Sequence, residues 1–205
     1  MSIINTIIFD FGDVFINLDK QGAMKHALNL FELEELPEEL VSINTLYEQG
    51  FISTEEFVAF YTENFENLSK TEIIDAWNFI LKDFPEERLE FLKTLASEKK
   101  YTLILLSNTN DLHINWVKEN VSFYEEFKSC FDKFYLSHEI NLRKPNADIY
   151  EFVLQENNLK AENCFFIDDT KSNTDTASQL GIKIWNIDET QQDIINLFTL
   201  NKDVF

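Results

Sequence analysis

Several polar residues of this chain follow short apolar runs, and together they carry the groups needed to handle a phosphoryl group. They are Asp10 with Gly12, Ser107 with Asn108, Lys144, and Asp168 with Asp169. A short apolar run closed by turn residues is typical of a strand buried on both faces of a parallel sheet. The carboxyl ends of such strands lie at one edge of the sheet, where ligands bind. The sequence therefore predicts a single site that contains carboxylates, a hydroxyl and an ammonium.

This combination suits phosphoryl transfer. Clustered carboxylates repel one another and require a cation, and a site with only oxygen ligands favours Mg²⁺. One carboxylate, that of Asp10, can act as the nucleophile, while Ser107, backbone amides and Lys144 stabilise the phosphoryl oxygens. A single Asp at a strand end is often only a turn or helix-capping residue. The inference depends on the ordered combination.

The elements that position these residues follow from the hydrophobic pattern. Strands are expected at Ile3–Phe9, Thr102–Leu106, Cys164–Ile167 and Ile182–Ile187, with a weaker candidate at Phe131–Leu136. Helical periodicity is present in Pro85–Lys100, Ala147–Asn157 and Ser172–Leu180. Alternating strands and helices predict an α/β fold with a doubly wound parallel (Rossmann-like) sheet.

Residues 17–83 interrupt this alternation, because their periodic segments are all helical. These segments are Gly22–Phe31, Pro37–Gln49, Thr54–Asn64 and Thr71–Leu81. Ser53 and Glu56 have the spacing of a capping box at the start of the third segment. We expect residues 1–16 and 84–205 to form the α/β core. Residues 17–83 are expected to form a helical cap inserted beside the C-terminal end of the first strand.

The composition narrows the possible partners. The formal net charge of −20 would repel nucleic acid and anionic membranes, but a few local cations suffice for a small phosphorylated metabolite. Cys130 and Cys164 give no disulfide framework, and no run has the length of a membrane span. We expect a cytoplasmic protein, and the oligomeric state cannot be read from the sequence.

The ordered motifs resemble those of the haloacid dehalogenase (HAD) superfamily of hydrolases, and the resemblance covers nearly the whole chain. The motifs are Ile7–Val14, Leu105–Asn108, Arg143–Pro145, and Phe166–Asp169 followed by Asn173. The helical insertion resembles the small cap of subfamily I. The resemblance implies a Mg²⁺-dependent phosphatase that forms an aspartyl-phosphate.

The same resemblance implies the roles of individual residues. The catalytic residues would be Asp10 as the nucleophile, with Ser107 and Lys144. The phosphoryl group would be bound by Phe11, Gly12, Ser107, Asn108 and Lys144. The Mg²⁺ ligands are Asp10, the Gly12 carbonyl, Asp168 and Asp169. Asn173 would orient the Asp168–Asp169 pair without itself binding the metal ion.

Gly12 departs from the superfamily pattern. Most phosphatases of the superfamily have a second Asp at this position, which protonates the leaving group and then activates water. General acid–base catalysis typically increases the reaction rate roughly 10²–10⁴-fold. The adjacent Asp13 is one candidate to replace the missing Asp. Gly also occurs here in a branch resembling α-D-glucose-1-phosphate phosphatases, which share the strings at Leu105–Asn110, Arg143–Pro145 and Trp77–Asn78. An anomeric phosphate has a good leaving group, so that branch implies sugar phosphates as substrates.

Other functions remain open at the level of sequence. A 2-haloacid dehalogenase also lacks the second Asp, but its reaction needs no metal and would leave Asp168 and Asp169 in uncompensated repulsion. A catalytically weak phosphate-binding or sensor protein is a further alternative, and a mutase is less favoured because it relies most on the missing acid. His113 follows the Ser107 loop and is therefore expected near the pocket, whereas Trp77 and Trp116 are expected to be packing residues.

Overall fold

Five parallel strands form a single sheet in the computed structural model, which describes residues 3–205. The strands are β1 (Thr6–Phe9), β2 (Thr102–Ser107), β3 (Lys133–Leu136), β4 (Cys164–Asp168) and β5 (Lys183–Asn186). Their order across the sheet is β3-β2-β1-β4-β5. This confirms the predicted α/β fold with a parallel sheet, although β1 begins at Thr6 rather than Ile3. Residues 1 and 2 of the expected core segment lie outside the described residues.

The helices follow the predicted pattern in most regions. They are α1 (Lys20–Leu30), α2 (Glu38–Glu48), α3 (Thr54–Asn64), α4 (Lys70–Asn78), α5 (Glu86–Glu98), α6 (Asp111–Asn120), α7 (Tyr124–Ser129), α8 (Ser137–Ile140), α9 (Ala147–Glu156), α10 (Lys171–Gln179) and α11 (Leu197–Leu200). The capping box of Ser53 and Glu56 is present at the start of α3. Within residues 3–205, no helix combines the length and the apolar character needed to cross a bilayer.

The helix predictions were incomplete, because α6, α7, α8 and α11 were not predicted and the end of α4 was placed too late. No helix was predicted for residues 111–129, yet α6 begins there because the Asn110 side chain accepts a hydrogen bond from the His113 backbone N–H. The helix predicted to end at Leu81 ends at Asn78 instead. Leu81 is extended because it forms an isolated antiparallel bridge with Leu18, at the point where the chain returns to the sheet.

The central strand β1 sets the position of the site. All four of its residues are buried, as expected for a strand covered on both faces. Phe9 is in register with Leu105 on one side and with Ile167 on the other. The backbone N–H of Asp10 donates to the Ile167 carbonyl at 2.9 Å, which extends this pairing by one residue. The residues that follow β1, β2 and β4 therefore meet at one edge of the sheet.

Separate apolar clusters cover the sheet and fill the helical insertion. One face of the sheet packs against a phenylalanine-rich cluster in which the rings of Phe15 and Phe127 are 5.0 Å apart. The other face is covered by a smaller cluster around Tyr150 and Phe166. Helices α1–α4 enclose a third cluster of their own, whose fully buried members include Phe57. The many phenylalanines thus serve mainly as core residues.

The two connections between the sheet and helices α1–α4 run side by side. The Asn17 backbone N–H donates to the Asp83 carbonyl at 2.9 Å, and the Lys82 N–H donates to the Asn17 carbonyl at 3.0 Å. The buried Arg88 guanidinium donates to the Phe15 carbonyl at 3.1 Å and to the Asn17 side chain at 2.8 Å. It also forms an ion pair with Asp193 at 2.9 Å. Arg88 therefore fixes the start of the insertion to the body of the protein.

We expect Arg88→Leu to lower the free energy of unfolding by about 3 kcal/mol, because it leaves Asp193 and the Phe15 carbonyl without their partner. Urea denaturation followed by circular dichroism would measure the change. Lys93→Met on the same helix is the matched control, since Lys93 forms only exposed ion pairs with Glu90 and Glu126. Equal stability of the two variants would contradict the structural role of Arg88.

Candidate active site

Three carboxylates meet at the C-terminal edge of the sheet. Asp10 follows β1, Asp168 ends β4 and Asp169 comes directly after it. One carboxylate oxygen from each of them lies within 4.8 Å of the others, as in a site for a metal ion. Asp168 is fully buried and Asp10 nearly so. Carboxylates this close and this deeply buried require positive charge around them.

Lys144 supplies part of that charge from inside the protein. Its fully buried ammonium contacts Asp10 Oδ1 at 2.8 Å and Asp168 Oδ2 at 2.6 Å. Burial alone would lower the pKa of Lys144, but the two carboxylates raise it above its ordinary value. Lys144 is therefore a permanent cation between the carboxylates, where it can also attract a phosphoryl group.

The loop that carries Lys144 is held by the end of β2. The Lys144 backbone N–H donates to Asn108 Oδ1 at 3.0 Å, and Asn108 Nδ2 donates to the Lys144 carbonyl at 2.8 Å. The peptide bond between Lys144 and Pro145 is cis. The side chain of Asn108 therefore acts on the backbone of Lys144, a contact that the sequence motif did not reveal.

Asp168 is oriented by the start of α10. Asn173 Nδ2 lies 3.0 Å from both carboxylate oxygens of Asp168, and the Thr170 backbone N–H donates to Oδ1 at 2.8 Å. Asn173 is held in turn by Tyr150, whose hydroxyl donates to the Asn173 carbonyl at 2.9 Å. The structure thus places Asn173 against Asp168, the first member of the pair it was expected to orient.

The surroundings of Asp10 raise its pKa. Burial raises the pKa of Asp10 from its ordinary value of 3.8 to about 7, although the ion pair with Lys144 opposes the shift. The nearby carboxylates of Asp168 and Asp169 raise it further. A cation placed among these groups would reverse this balance and keep Asp10 ionised, as a nucleophile must be.

The remaining predicted residues lie at the same edge of the sheet. Ser107 is buried at the end of β2, and its hydroxyl makes only a long contact of 3.4 Å with the Asn108 carbonyl. The Phe11 side chain packs in the core against Phe127, with ring centroids 5.3 Å apart. Phe11 can therefore meet a ligand only through its backbone.

Gly12 lies where a side chain would meet Leu18. A Cβ atom built on Gly12 would be 2.7 Å from Leu18 Cδ1. The adjacent Asp13 has a positive φ of 53° and is buried. Its Oδ1 accepts a hydrogen bond from the Leu18 backbone N–H at 2.8 Å, and its Oδ2 forms an ion pair with Lys20 at 2.8 Å. Both oxygens of Asp13 are thus engaged within the protein.

Lys20, which sequence reasoning did not single out, connects the helical insertion with the carboxylates. It is the first residue of α1, and its ammonium contacts Asp169 as well as Asp13. Asp13 and Asp169 also lie within metal-binding distance of Glu189, but Lys20 already neutralises two members of this group. The only sequence signal for Lys20 was its place directly after the helix-capping residue Asp19.

A cavity of about 270 Å³ opens among the helices of the insertion, and Lys20 forms part of its wall. Most of its other lining residues are apolar: Ala23, Met24, Ala27, Phe31, Leu36, Phe57, Ile73, Ala76, Trp77 and Ile80. His113 lines it from α6, where its ring stacks on Trp77 and its Nε2 donates to the Trp77 carbonyl at 3.1 Å. His113 therefore lies in the wall of the pocket, and Trp77 both packs and lines it.

The chain matches the family model of haloacid dehalogenase-like hydrolases over residues 4–181. This match spans most of the sequence and includes every residue of the carboxylate site. The chain belongs to the haloacid dehalogenase-like hydrolases. The superfamily inferred from the motifs is thereby confirmed.

Among known proteins, this hydrolase resembles phosphatases of the family more than dehalogenases. It is 27% identical over 188 residues to D-ribitol-5-phosphate phosphatase from Bacteroides thetaiotaomicron. The aligned region covers 88% of this chain and 90% of that protein. A HAD family enzyme from the same organism, solved with magnesium and inorganic phosphate, is 33% identical with a TM-score of 0.82, covering 95% and 99% of the two chains. An L-2-haloacid dehalogenase is only 15% identical, with a TM-score of 0.61 over 98% and 100% of the chains, and shares the fold alone.

The raised pKa of Asp10 predicts how stability depends on pH without metal. Because the folded pKa of about 7 lies above the ordinary value of 3.8, this group stabilises the fold at low pH, and the contribution is lost as pH rises through 7. In EDTA, we therefore expect the Tm of the wild type to fall between pH 5 and pH 8 relative to that of Asp10→Asn. Differential scanning fluorimetry would measure this difference. The difference in Tm should shrink when Mg²⁺ is added. Parallel pH profiles of Tm for the two proteins would contradict a raised pKa of Asp10.

Proposed function

We propose that the protein is a Mg²⁺-dependent phosphatase that hydrolyses phosphate monoesters of small metabolites through an aspartyl-phosphate on Asp10. The observation that carries the proposal is the placement of Asp10 between a buried ammonium and two further carboxylates. Asp10 and Lys144 are 2.8 Å apart, and the three carboxylates lie within metal-binding distance. The similarity to D-ribitol-5-phosphate phosphatase and to a magnesium- and phosphate-bound relative supports the same reaction class.

The donor set fits Mg²⁺ by its chemistry. The ligands would be one oxygen each from Asp10, Asp168 and Asp169, together with the Gly12 carbonyl, and such hard oxygen ligands suit this ion. When bound, Mg²⁺ would offset the negative charge of the carboxylates and of the phosphoryl oxygens. The orientation of Asp168 by Asn173 and Thr170 would prepare its oxygens for this role.

The residues of the chain then perform two displacements at phosphorus. An Asp10 oxygen bonds to phosphorus while the bond to the alcohol oxygen breaks, and the electron pair leaves with the alcohol. Water then bonds to phosphorus, and the Asp10–phosphorus bond breaks with its electron pair returning to the carboxylate. The ester and water are thus converted into alcohol and phosphate. The oxygens of the transferring group would be stabilised by Lys144, by the Ser107 hydroxyl and by the backbone amides of Phe11 and Asn108.

The helical segment of residues 17–83 would act as the cap of this site. Its first helix places Lys20 on Asp169 and its cavity begins at the same lysine, so the alcohol part of a bound ester would point into the cap. The core of residues 1–16 and 84–205 would supply the reacting groups. A cavity of about 270 Å³ suits a small metabolite, and the name of the curated relative favours a phosphorylated sugar or polyol.

The absence of an acid at Gly12 should influence which esters are hydrolysed fastest. Asp13, the candidate replacement, has both carboxylate oxygens engaged by Leu18 and Lys20. An ester whose alcohol leaves readily, such as an anomeric sugar phosphate, needs the least help from a proton donor. We therefore infer a preference for good leaving groups within the phosphatase reaction.

The alternative favoured by Gly12 is a binding or sensor protein that holds Mg²⁺ and a phosphorylated ligand with negligible turnover. A dehalogenase is less favoured, because its reaction would not use the paired Asp168 and Asp169 carboxylates. Asp10 supports catalysis over simple binding, because a protein that only binds a phosphorylated ligand would not require this carboxylate beside the Lys144 ammonium.

Phosphate release from a panel of esters, with Mg²⁺ and with EDTA, tests the proposed function. We expect Mg²⁺-dependent turnover, with glucose 1-phosphate and p-nitrophenyl phosphate faster than glucose 6-phosphate and D-ribitol 5-phosphate, and near-complete loss in Asp10→Asn. The nucleophile contributes to the reaction itself, so its removal should cost at least about 10³-fold. Binding of inorganic phosphate and Mg²⁺ without release from any ester would instead support the sensor alternative.

Restoring an acid at position 12 should accelerate the hydrolysis of poor leaving groups. Because a side chain there would collide with Leu18, we pair Gly12→Asp with Leu18→Ala. The double variant should exceed Leu18→Ala by about tenfold or more in kcat on glucose 6-phosphate, at the low end of the range for general acid catalysis. The gain on p-nitrophenyl phosphate should be much smaller. Equal gains on both esters would contradict a proton-donor explanation.

A further inference from the structure

Lys20 lies at the junction between the carboxylates and the cap cavity. Its ammonium contacts Asp13 at 2.8 Å and also Asp169, while its side chain forms part of the cavity wall. Asp169 is itself within 4.8 Å of Asp10. Lys20 therefore links the cavity wall to the carboxylate cluster, and in the proposed reaction the departing alcohol would lie on this side of Asp10. No other Lys or Arg lines this cavity among the described residues.

The other polar groups at this junction are unsuited to assist the leaving group. His113 has both ring nitrogens engaged, by the Trp77 carbonyl and the Asn110 side chain, and burial lowers its pKa to about 4. The Glu48 carboxylate is paired with Arg143 at 2.8 Å. Both groups have partners within the protein, and the lowered pKa of His113 keeps its imidazole neutral near pH 7.

Asp13 holds Lys20 in position. Its carboxylate is fixed by the Leu18 backbone N–H at 2.8 Å, in a loop where Asp13 has a positive φ. When a cation takes up the charge of Asp169, this second ion pair would keep the Lys20 ammonium at the mouth of the cavity. A lysine side chain is charged at neutral pH, so Lys20 carries a positive charge there.

We propose that Lys20 is a catalytic residue, whose ammonium stabilises the negative charge on the leaving oxygen and so compensates for the acid missing at Gly12. This proposal rests on the proposed phosphatase function. As the bond between phosphorus and the alcohol oxygen breaks, the electron pair collects on that oxygen beside the Lys20 ammonium. A charged donor aimed at a developing oxyanion is an effective form of catalysis.

The proton balance requires no protein acid. The alkoxide takes a proton from water, which yields the alcohol and a hydroxide ion. The hydroxide bonds to the phosphorus of the aspartyl-phosphate, and the Asp10 carboxylate is released with the bonding electron pair. Lys20 keeps its proton in both steps and stabilises first the alkoxide and then the hydroxide.

The test is a series of phosphate esters whose alcohols differ in acidity: p-nitrophenyl, phenyl, benzyl and n-butyl phosphate. Three variants are compared with the wild type at saturating Mg²⁺: Lys20→Gln, Lys20→Arg, and Lys25→Gln as the control. Lys25 lies on the same helix but is exposed and forms no ion pair with a described residue. Arg preserves the charge of Lys20 but cannot give up a proton.

We expect Lys20→Gln to lower kcat by about 10²-fold on benzyl and n-butyl phosphate, and by no more than about threefold on p-nitrophenyl phosphate. The dependence of log kcat on alcohol pKa should therefore be steeper than in the wild type. Lys20→Arg should recover most of the loss, and Lys25→Gln should match the wild type. A uniform loss across all esters, or an inactive Lys20→Arg variant, would overturn the proposal.

A binding measurement separates this role from a metal-site role. Isothermal titration calorimetry of Mg²⁺ with wild type and Lys20→Gln should give equal or tighter binding in the variant, because a competing cation has been removed from Asp169. Weaker Mg²⁺ binding in Lys20→Gln would assign the kinetic loss to the metal site and overturn the proposal. If the wild type hydrolyses none of the esters, the proposed function itself fails. If the wild type hydrolyses the esters and Lys20→Gln shows the same dependence on the leaving group, only the role of Lys20 is refuted.

Discussion

The structure of the site depends on the mutual repulsion of buried carboxylates. Asp10, Asp168 and Asp169 converge because the paired parallel strands β1 and β4 end at one edge of the sheet, and that convergence is stable only with positive charge among them. Lys144 supplies one charge from the core, at 2.8 Å from Asp10. Lys20 supplies another from the helical insertion, through Asp169. The negative charge that these two ammonium groups leave uncompensated makes the site suitable for a divalent cation.

The supporting contacts serve the same constraint. Asn108 holds the backbone of Lys144 on both sides of the residue, and Asn173 holds both oxygens of Asp168. Each of these amides acts on a charged group whose displacement would unbalance the others. The neutral side chains around the site therefore set distances, while the charged ones set the chemistry. Asn108 was expected to bind phosphate, but its side-chain amide is hydrogen-bonded to the backbone of Lys144, in keeping with this division of roles.

The predictable part of the molecule was the part with local sequence signals. Apolar runs identified all five strands, and the motif order identified the residues that meet at the sheet edge. The capping box of Ser53 and Glu56 located the start of α3 to the residue. The role of Lys20 could not be predicted in this way, because it depends on Asp169, far away in sequence. The engagement of Asp13 by Leu18 and the collision that a side chain at Gly12 would meet likewise depend on how the chain turns back toward the cap.

The helical insertion has an apolar cluster built mainly from its own residues, with Leu112 of α6 packed against it, and two adjacent connections join the insertion to the sheet. Substitutions among Phe57, Ala76 and their neighbours would therefore reshape the cavity while leaving the packing beneath Asp10 and Lys144 intact. A gene for such a protein can accumulate changes in substrate range without first losing the reaction. In the proposed enzyme, the lining of the cavity and the carboxylate site would therefore be open to separate change, with Lys20 belonging to both.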